Sequence, residues 1–445
     1  MNRLVAVGAG VVVVAGAVVA GLPLYAGMQA ERELRGLEEM RAGEFIVLHE
    51  ITEYRKGYRK SLARGHGVVQ IGRENIPFDI EHHVRHGLTD IHVDSAIVPT
   101  GEAGELVRRF LKDEAAVSLT TTATPTATVM NISVPRAEGA VDADGNLMLN
   151  FGGINGTINM DDRLSTATFN VAPLSLSGVH GGLSVGAQKL VLESPDLSDS
   201  FAPAESAYTA ESVLFTSLSG SGPGEIKLTD LSSIGKRGIR DGMVWIDIDA
   251  IIANLQVDDY QADRLRIGLN ADNLELEQTR ALSEAINAIH AQALDAEETE
   301  NAVGHAFLNA VPGLLAHSPS LGMRIHLGAE GEETLSTVIH SGFTGNSSGE
   351  PVPLGIQNIA QITVDLDVML QESLLIGLQQ ALGADAVNAD DGISALLALA
   401  EQGLATQIPG GFKTEIRFAN TELLINGENR SDFLAMLLMG GGEFF

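Results

Sequence analysis

The chain has no cysteine, few cations and only one long apolar run. Without cysteine there are no disulfides, no thiol nucleophile and no thiolate metal site. The 445 residues carry 58 Asp and Glu against 28 Lys and Arg, a formal net charge of -30. A surface so short of cations repels phosphate backbones and anionic headgroups, which argues against nucleic acid and electrostatic lipid-surface partners. No glycine-rich loop of the phosphate-cradling kind precedes a helical pattern.

What is present begins at the N-terminus. Leu4 to Tyr25 is apolar and uncharged over 22 residues. As a helix it would span about 33 Å at about 1.5 Å per residue, against a bilayer core of about 30 Å. Arg3 is the only cation before it, which places the short N-terminus in the cytoplasm and the bulk of the chain in the periplasm. The competing reading is a cleaved signal peptide with a small-residue site at Val18-Val19-Ala20. The run exceeds the usual signal core of roughly 7–15 residues, so a retained inner-membrane anchor over residues 1–26 is expected. Gly16 with Ala20, or Ala17 with Gly21, could let two such helices approach closely, which leaves a homodimer open.

Residues 27–44 read as a charged connecting helix, Met28 to Arg41 at its heart. Period-two alternation then dominates residues 45–275. Leu147, Leu149 and Phe151 follow a turn at Asp144-Gly145; Ala167, Phe169 and Val171 follow Asp161-Asp162. Val244, Ile246 and Ile248 alternate with Trp245, Asp247 and Asp249, and Leu265, Ile267 and Leu269 with Arg266, Gly268 and Asn270. This is the pattern of antiparallel strands with one buried and one wet face. Residues 276–445 mix the two periods, as one domain with what precedes or as a second. Leu282, Ile286, Ile289 and Ala293 mark one helix; Val303, Phe307, Ala310, Val311 and Leu314 mark another. Strands return at Met323–Leu327, Leu335–Ile339 and Ile362–Val368. Helices are expected over Glu372 to Leu382 and Gly392 to Leu404. A strand Phe412 to Phe418, a hairpin to Leu423–Asn426 and a short helix capped by Ser431 close the chain. Ser219 to Gly224 is the most linker-like stretch. The fold class expected is α+β with β dominant: an extended, twisted antiparallel sheet with packed helices, preceded by one transmembrane helix.

Candidate chemistry is sparse. His82, His83 and His86 could share a metal on a helix, but Phe78, Ile80, His82 and Val84 alternate as a strand. His82 and His86 are then about 13 Å apart, and an ordinary polar strand end is expected. Gly182-Leu183-Ser184-Val185-Gly186 matches the nucleophile-elbow pattern, which needs a helix after the serine; Lys189 to Glu193 reads as a strand. Asp142-Ala143-Asp144-Gly145 resembles part of a calcium loop without its remaining ligands. Asp247 and Asp249, with Asp258 and Asp259 beyond, read as acids on a solvated face. No catalytic, cofactor or metal residue is therefore named, and the chain is not expected to be an enzyme.

Several segments carry a resemblance. Phe412 to Asn420, Leu423 to Gly427 and Ser431-Asp432-Phe433, together with Ala306 to Leu315, Tyr54, Gly57, Ser61 and His86-Gly87, resemble the YdgA-like family of bacterial inner-membrane proteins of unknown function. The family's closing hairpin usually has a Gly at its turn; here Asn420-Thr421 stands there, and Asn tolerates the left-handed conformation. The resemblance implies an anchored periplasmic domain, dimerisation left open, and brings no active site. Two function classes follow: a structural or partner-binding module of the envelope, or a carrier in which a curved sheet shelters a lipid or other hydrophobic ligand. The carrier needs a continuous apolar groove; the module needs only an ordinary core.

Overall fold

Alternation along each segment decides the fold. In Ile91–Pro99 the odd-numbered residues are buried and their neighbours are half-buried or exposed, as a strand with one core face requires. The computed structural model describes residues 39–431 except 43–44, 58, 72–73, 88–89, 112–114, 143–144, 198, 200, 218–223, 291, 293–295, 329–331, 346–350, 353–355 and 383–386. The expected anchor at Leu4 to Tyr25, the linker-like Ser219 and most of the final helix lie outside the described residues. Strands dominate, and within each unit they pair antiparallel. The chain divides into two compact units. The first holds residues 1–179, 184–208 and 282–306; the second holds 180–183, 209–281 and 307–445.

In the first unit the strands are β1 (Glu39–Ala42), β2 (Phe45–Arg55), β3 (Lys60–Ile71), β4 (Glu74–His86), β5 (Ile91–Pro99), β6 (Val117–Ala123) and β7 (Ala127–Val134). They continue with β8 (Ala137–Ala140), β9 (Leu147–Phe151), β10 (Ile154–Asp161), β11 (Ser165–Val171), β12 (Leu174–Gly178) and β14 (Gln188–Ser194); β13 (Gly181–Val185), between the last two in the chain, has residues in both units. Pairing runs β1-β2-β3-β4-β5-β6-β7-β10-β11-β14, all antiparallel. A smaller set pairs β8-β9-β12. One face of the long run forms a single apolar cluster from Val47 through Ala63, Ile80, Val93, Leu119 and Met130 to Ala167. Each Val, Leu, Ile, Phe or Met among them contributes about 1.5–3 kcal/mol when fully buried. Gly67 of β3 is required by this packing: a Cβ there would lie 2.4 Å from the Phe78 ring and 2.3 Å from the Leu48 carbonyl.

Two features of this unit depart from expectation. Glu39–Ala42 is a strand paired with Phe45–Leu48, where the charged helix was expected to run to Arg41. Hydrogen bonding to a long neighbour outweighs the helical propensity of Glu39, Met40, Arg41 and Ala42, all good helix formers. A helix absent from the sequence reading, α1 (Gly101–Leu111), seals Val107, Leu111 and Phe110 against Ala116 and Ala137.

The second unit contains most of β15 (Ala204–Ser217), then β16 (Glu225–Arg240), β17 (Met243–Val257), β18 (Tyr260–Ala262) and β19 (Leu265–Glu275). Two helices follow, α2 (Leu276–His290) and α3 (Ala296–Leu314), each with residues in both units. After them come β20 (Ser320–Leu327), β21 (Leu335–Phe343), β22 (Ile362–Gln371), α4 (Glu372–Leu382), α5 (Ala389–Glu401), β23 (Thr406–Ile408), β24 (Gly411–Ala419), β25 (Glu422–Ile425) and β26 (Glu428–Asn429). Pairing runs β16-β17-β19-β20-β21-β22-β24-β25-β26. α5 starts before Gly392 because Asn388 caps it, accepting from the Asp391 amide. The buried cluster here is small: Ala262, Leu327 and Leu374, with Leu255, Tyr260, Leu265, Leu335, Leu370 and Leu378 against it.

Candidate functional site

The side chains singled out in the sequence do not converge. His82 and His83 point to opposite faces of β4. His83 is exposed and pairs with Glu81 at 2.7 Å. His82 is 2% exposed, a core position where an ordinary polar strand end was expected. It shares the parity of Phe78, Ile80 and Val84, whose side chains build the core. Its Nδ1 lies 2.7 Å from Ser95 Oγ, and its Nε2 has no hydrogen-bond partner. Burial, reinforced by His49 and then His83, pushes its pKa from 6.5 down to about 3, so the ring is neutral. The His49 ring meets it edge-on, centroids 5.9 Å apart. β2 and β4 are separated by β3, and the rings reach each other past Ala63, Gly65 and Gly67, where β3 presents little bulk. The side chain of His86 lies outside the described ones.

Ser184 sits in β13, and the next element is β14, so no helix dipole or turn presents its hydroxyl as a nucleophile. Asp142 accepts from the Leu147 amide at 2.9 Å, and Gly145 takes φ +71°, which together close a turn. Asp249 is held by Arg266 at 2.8 Å, and Asp258 receives the amides of Gly224 and Glu225. Each of these acids has a structural partner. Among the described residues no three His, Asp or Glu side chains gather as a metal cluster requires.

What the second unit does present is an apolar sheet face. The register puts Ile248, Leu269, Met323, Ile339, Leu366 and Ile416 in one unbroken row across six strands. Five spacings of about 4.8 Å make that row about 24 Å long. A second row runs Ala250, Ile267, Ile325, Thr337, Val368 and Thr414; a third runs Ile246, Ala271, Leu321, Ser341, Val364 and Phe418. None of these positions is charged. Yet the face is open at β17, β19 and β20, where Ile248 is 37% exposed, Ile267 40%, Leu269 44% and Leu321 52%, while its positions on β21, β22 and β24 are half-buried. Central-strand aliphatics in a folded core would be near zero, as in the first unit. The charged residues of the same strands, among them Asp247, Asp249, Arg266, Arg324, Asp365 and Arg417, occupy the opposite parity.

The family described as a bacterial protein of unknown function (DUF945) matches residues 1–431. The chain belongs to this family. The YdgA-like resemblance is compatible with that membership. No curated protein and no solved structure matches the chain.

Sequence reasoning missed the openness of the face. Alternation locates an apolar face but is blind to whether another layer covers it.

Proposed function

We propose that this protein is an inner-membrane-anchored protein of the bacterial envelope that shelters a hydrophobic ligand, a lipid acyl chain, on the open face of β17, β19, β20, β21, β22 and β24. The carrying observation is the aliphatic row from Ile248 to Ile416, exposed at Ile248 and Leu269 and half-buried from Met323 onward, beside the exposed Ile267 and Leu321. Uncovered apolar area of this extent marks interaction sites and ligand grooves rather than ordinary surface. Its composition favours lipid over a protein partner. The central row is wholly Ile, Leu and Met, without the Trp, Tyr and Arg that concentrate binding energy at protein interfaces. Aliphatic area acts without direction, which suits a flexible chain able to lie along the row. The role is binding, without covalent chemistry.

Native mass spectrometry of the purified full-length protein tests this. Co-purified lipid is expected, and it should be lost from a variant carrying Leu269→Thr, Met323→Thr and Leu366→Thr, which keeps strand-forming side chains on the sheet. A ligand-free mass with a stable dimer would instead support the partner-binding module and overturn the carrier.

A further inference from the structure

The opposite, polar face of the same unit carries a cleft of about 350 Å³, within the roughly 300–1,000 Å³ range of small-ligand sites. Trp245, Asp247, Asn270, Asp272, Arg324 and His340 line it. Asp247, Asn270, Gly322 and His340 stand in one cross-strand row, and Arg324 lies one pair further along β20. Gly322 of the lining and Gly268 beside it leave room over the backbone. A Cβ on Gly322 would meet Asn270 Oδ1 at 2.0 Å, and one on Gly268 would meet Arg324 Nε at 3.0 Å. The carboxamide and the guanidinium therefore lie flat on the sheet. The ladder slips between Val244 and Ile246, so Trp245 faces an irregularity in β19 where Asn273 takes φ +58°. Bulges of this kind re-aim side chains beside sites. The indole is held against Gly238, whose Cβ would lie 2.4 Å from Trp245 Nε1. Trp245 is the only tryptophan in the chain.

We propose that this cleft is a binding site for a neutral saccharide. An aromatic platform beside flat amide, guanidinium and carboxylate groups offers both halves of sugar recognition: ring C–H groups pack on the indole, and vicinal hydroxyls bond to paired donors and acceptors. Two carboxylates against one guanidinium disfavour phosphate and other anions. Arg324 within the cleft disfavours an organic cation, which a Trp with two acids would otherwise attract.

The single tryptophan makes the site self-reporting. Its emission is followed in the full-length protein while maltose, cellobiose, N,N′-diacetylchitobiose, spermidine or inorganic phosphate is added. A saturable change with at least one disaccharide is expected. Arg324→Ala and Asp247→Ala should each weaken it about tenfold, the value of one hydrogen bond. Asp247→Asn, which keeps an acceptor oxygen, should hold affinity within a few-fold. Circular dichroism establishes that each variant is folded. Silence with all three sugars overturns the site, as does a sugar response indifferent to Arg324 and Asp247. A response to spermidine alone, abolished by Asp247→Asn, makes it a cation site; a response to phosphate alone makes it an anion site.

Discussion

At the residue scale, His82 has the sharpest consequence. The ring is buried, neutral and bonded to Ser95, and burial holds its pKa at about 3 against 6.5 for a free imidazole. The unfolded chain takes up a proton on this residue below about pH 6.5; the folded chain does not until about pH 3. The stability its neutrality secures is complete above pH 6.5 and is lost as pH falls through that window, at up to about 1.4 kcal/mol per unit. Urea midpoints at pH 7 and pH 5 test this. Wild type should lose about 2 kcal/mol more than His82→Gln between those values. Equal losses would mean that the imidazole finds a way to hold a proton in the fold. The exposed ion pairs His83–Glu81 and His92–Asp90 are common to both proteins and cancel in the difference. The burial of His82 was legible in its parity with Phe78 and Ile80. Residue type alone suggested a wet strand end, and parity proved the stronger signal. The contact with His49 was not legible, because it depends on the glycines of the intervening strand.

At the element scale, three two-residue hairpins can be compared within one chain. Asp241-Gly242 and Asn426-Gly427 both place their residues at positive φ, 53° with 79° and 51° with 81°. Asn420-Thr421 does the same at 53° and 65°. This geometry matches strand twist and demands left-handed backbone at both central positions. Glycine meets the demand freely; a β-branched threonine does so against its Cβ, at about 1–2 kcal/mol. Thr421→Gly should therefore stabilise the protein by roughly 1 kcal/mol, less the extra entropy glycine adds to the unfolded chain. A rise in thermal midpoint checks it, and a fall would mean that the Thr421 side chain contributes more than the strain removes. The existence of β24 and β25 and the turn itself were readable from alternation flanking a polar pair. Its conformation was half readable, since Asn invites a left-handed residue and Thr does not. α1 escaped notice because its apolar residues Val107, Phe110 and Leu111 cover barely one turn.

At the scale of the whole molecule, the question is what holds the chain in place. No helix among the described residues is long and apolar enough to cross a membrane. A helical crossing must then come from outside them, and Leu4 to Tyr25 is the run in the sequence that meets the length. The division into two units left no comparable trace in composition, because chain segments pass between the units several times instead of crossing once through a linker. The expected outcome is that the protein resists alkaline extraction from membranes and that a periplasm-active reporter fused to its C-terminus is active. Arg at two adjacent positions, Val12→Arg with Val13→Arg, should release it, since each costs about 2.5–3.5 kcal/mol at a helix centre. A net charge of -30 removes the alternative of electrostatic adsorption to anionic lipid, so release by these two changes would isolate the apolar run as the attachment. Extraction of the unaltered protein by alkali would remove the anchor. The carrier proposal would then require its lipid to be loaded from solution, while the exposed aliphatics Ile248, Ile267, Leu269 and Leu321 would still call for an apolar occupant.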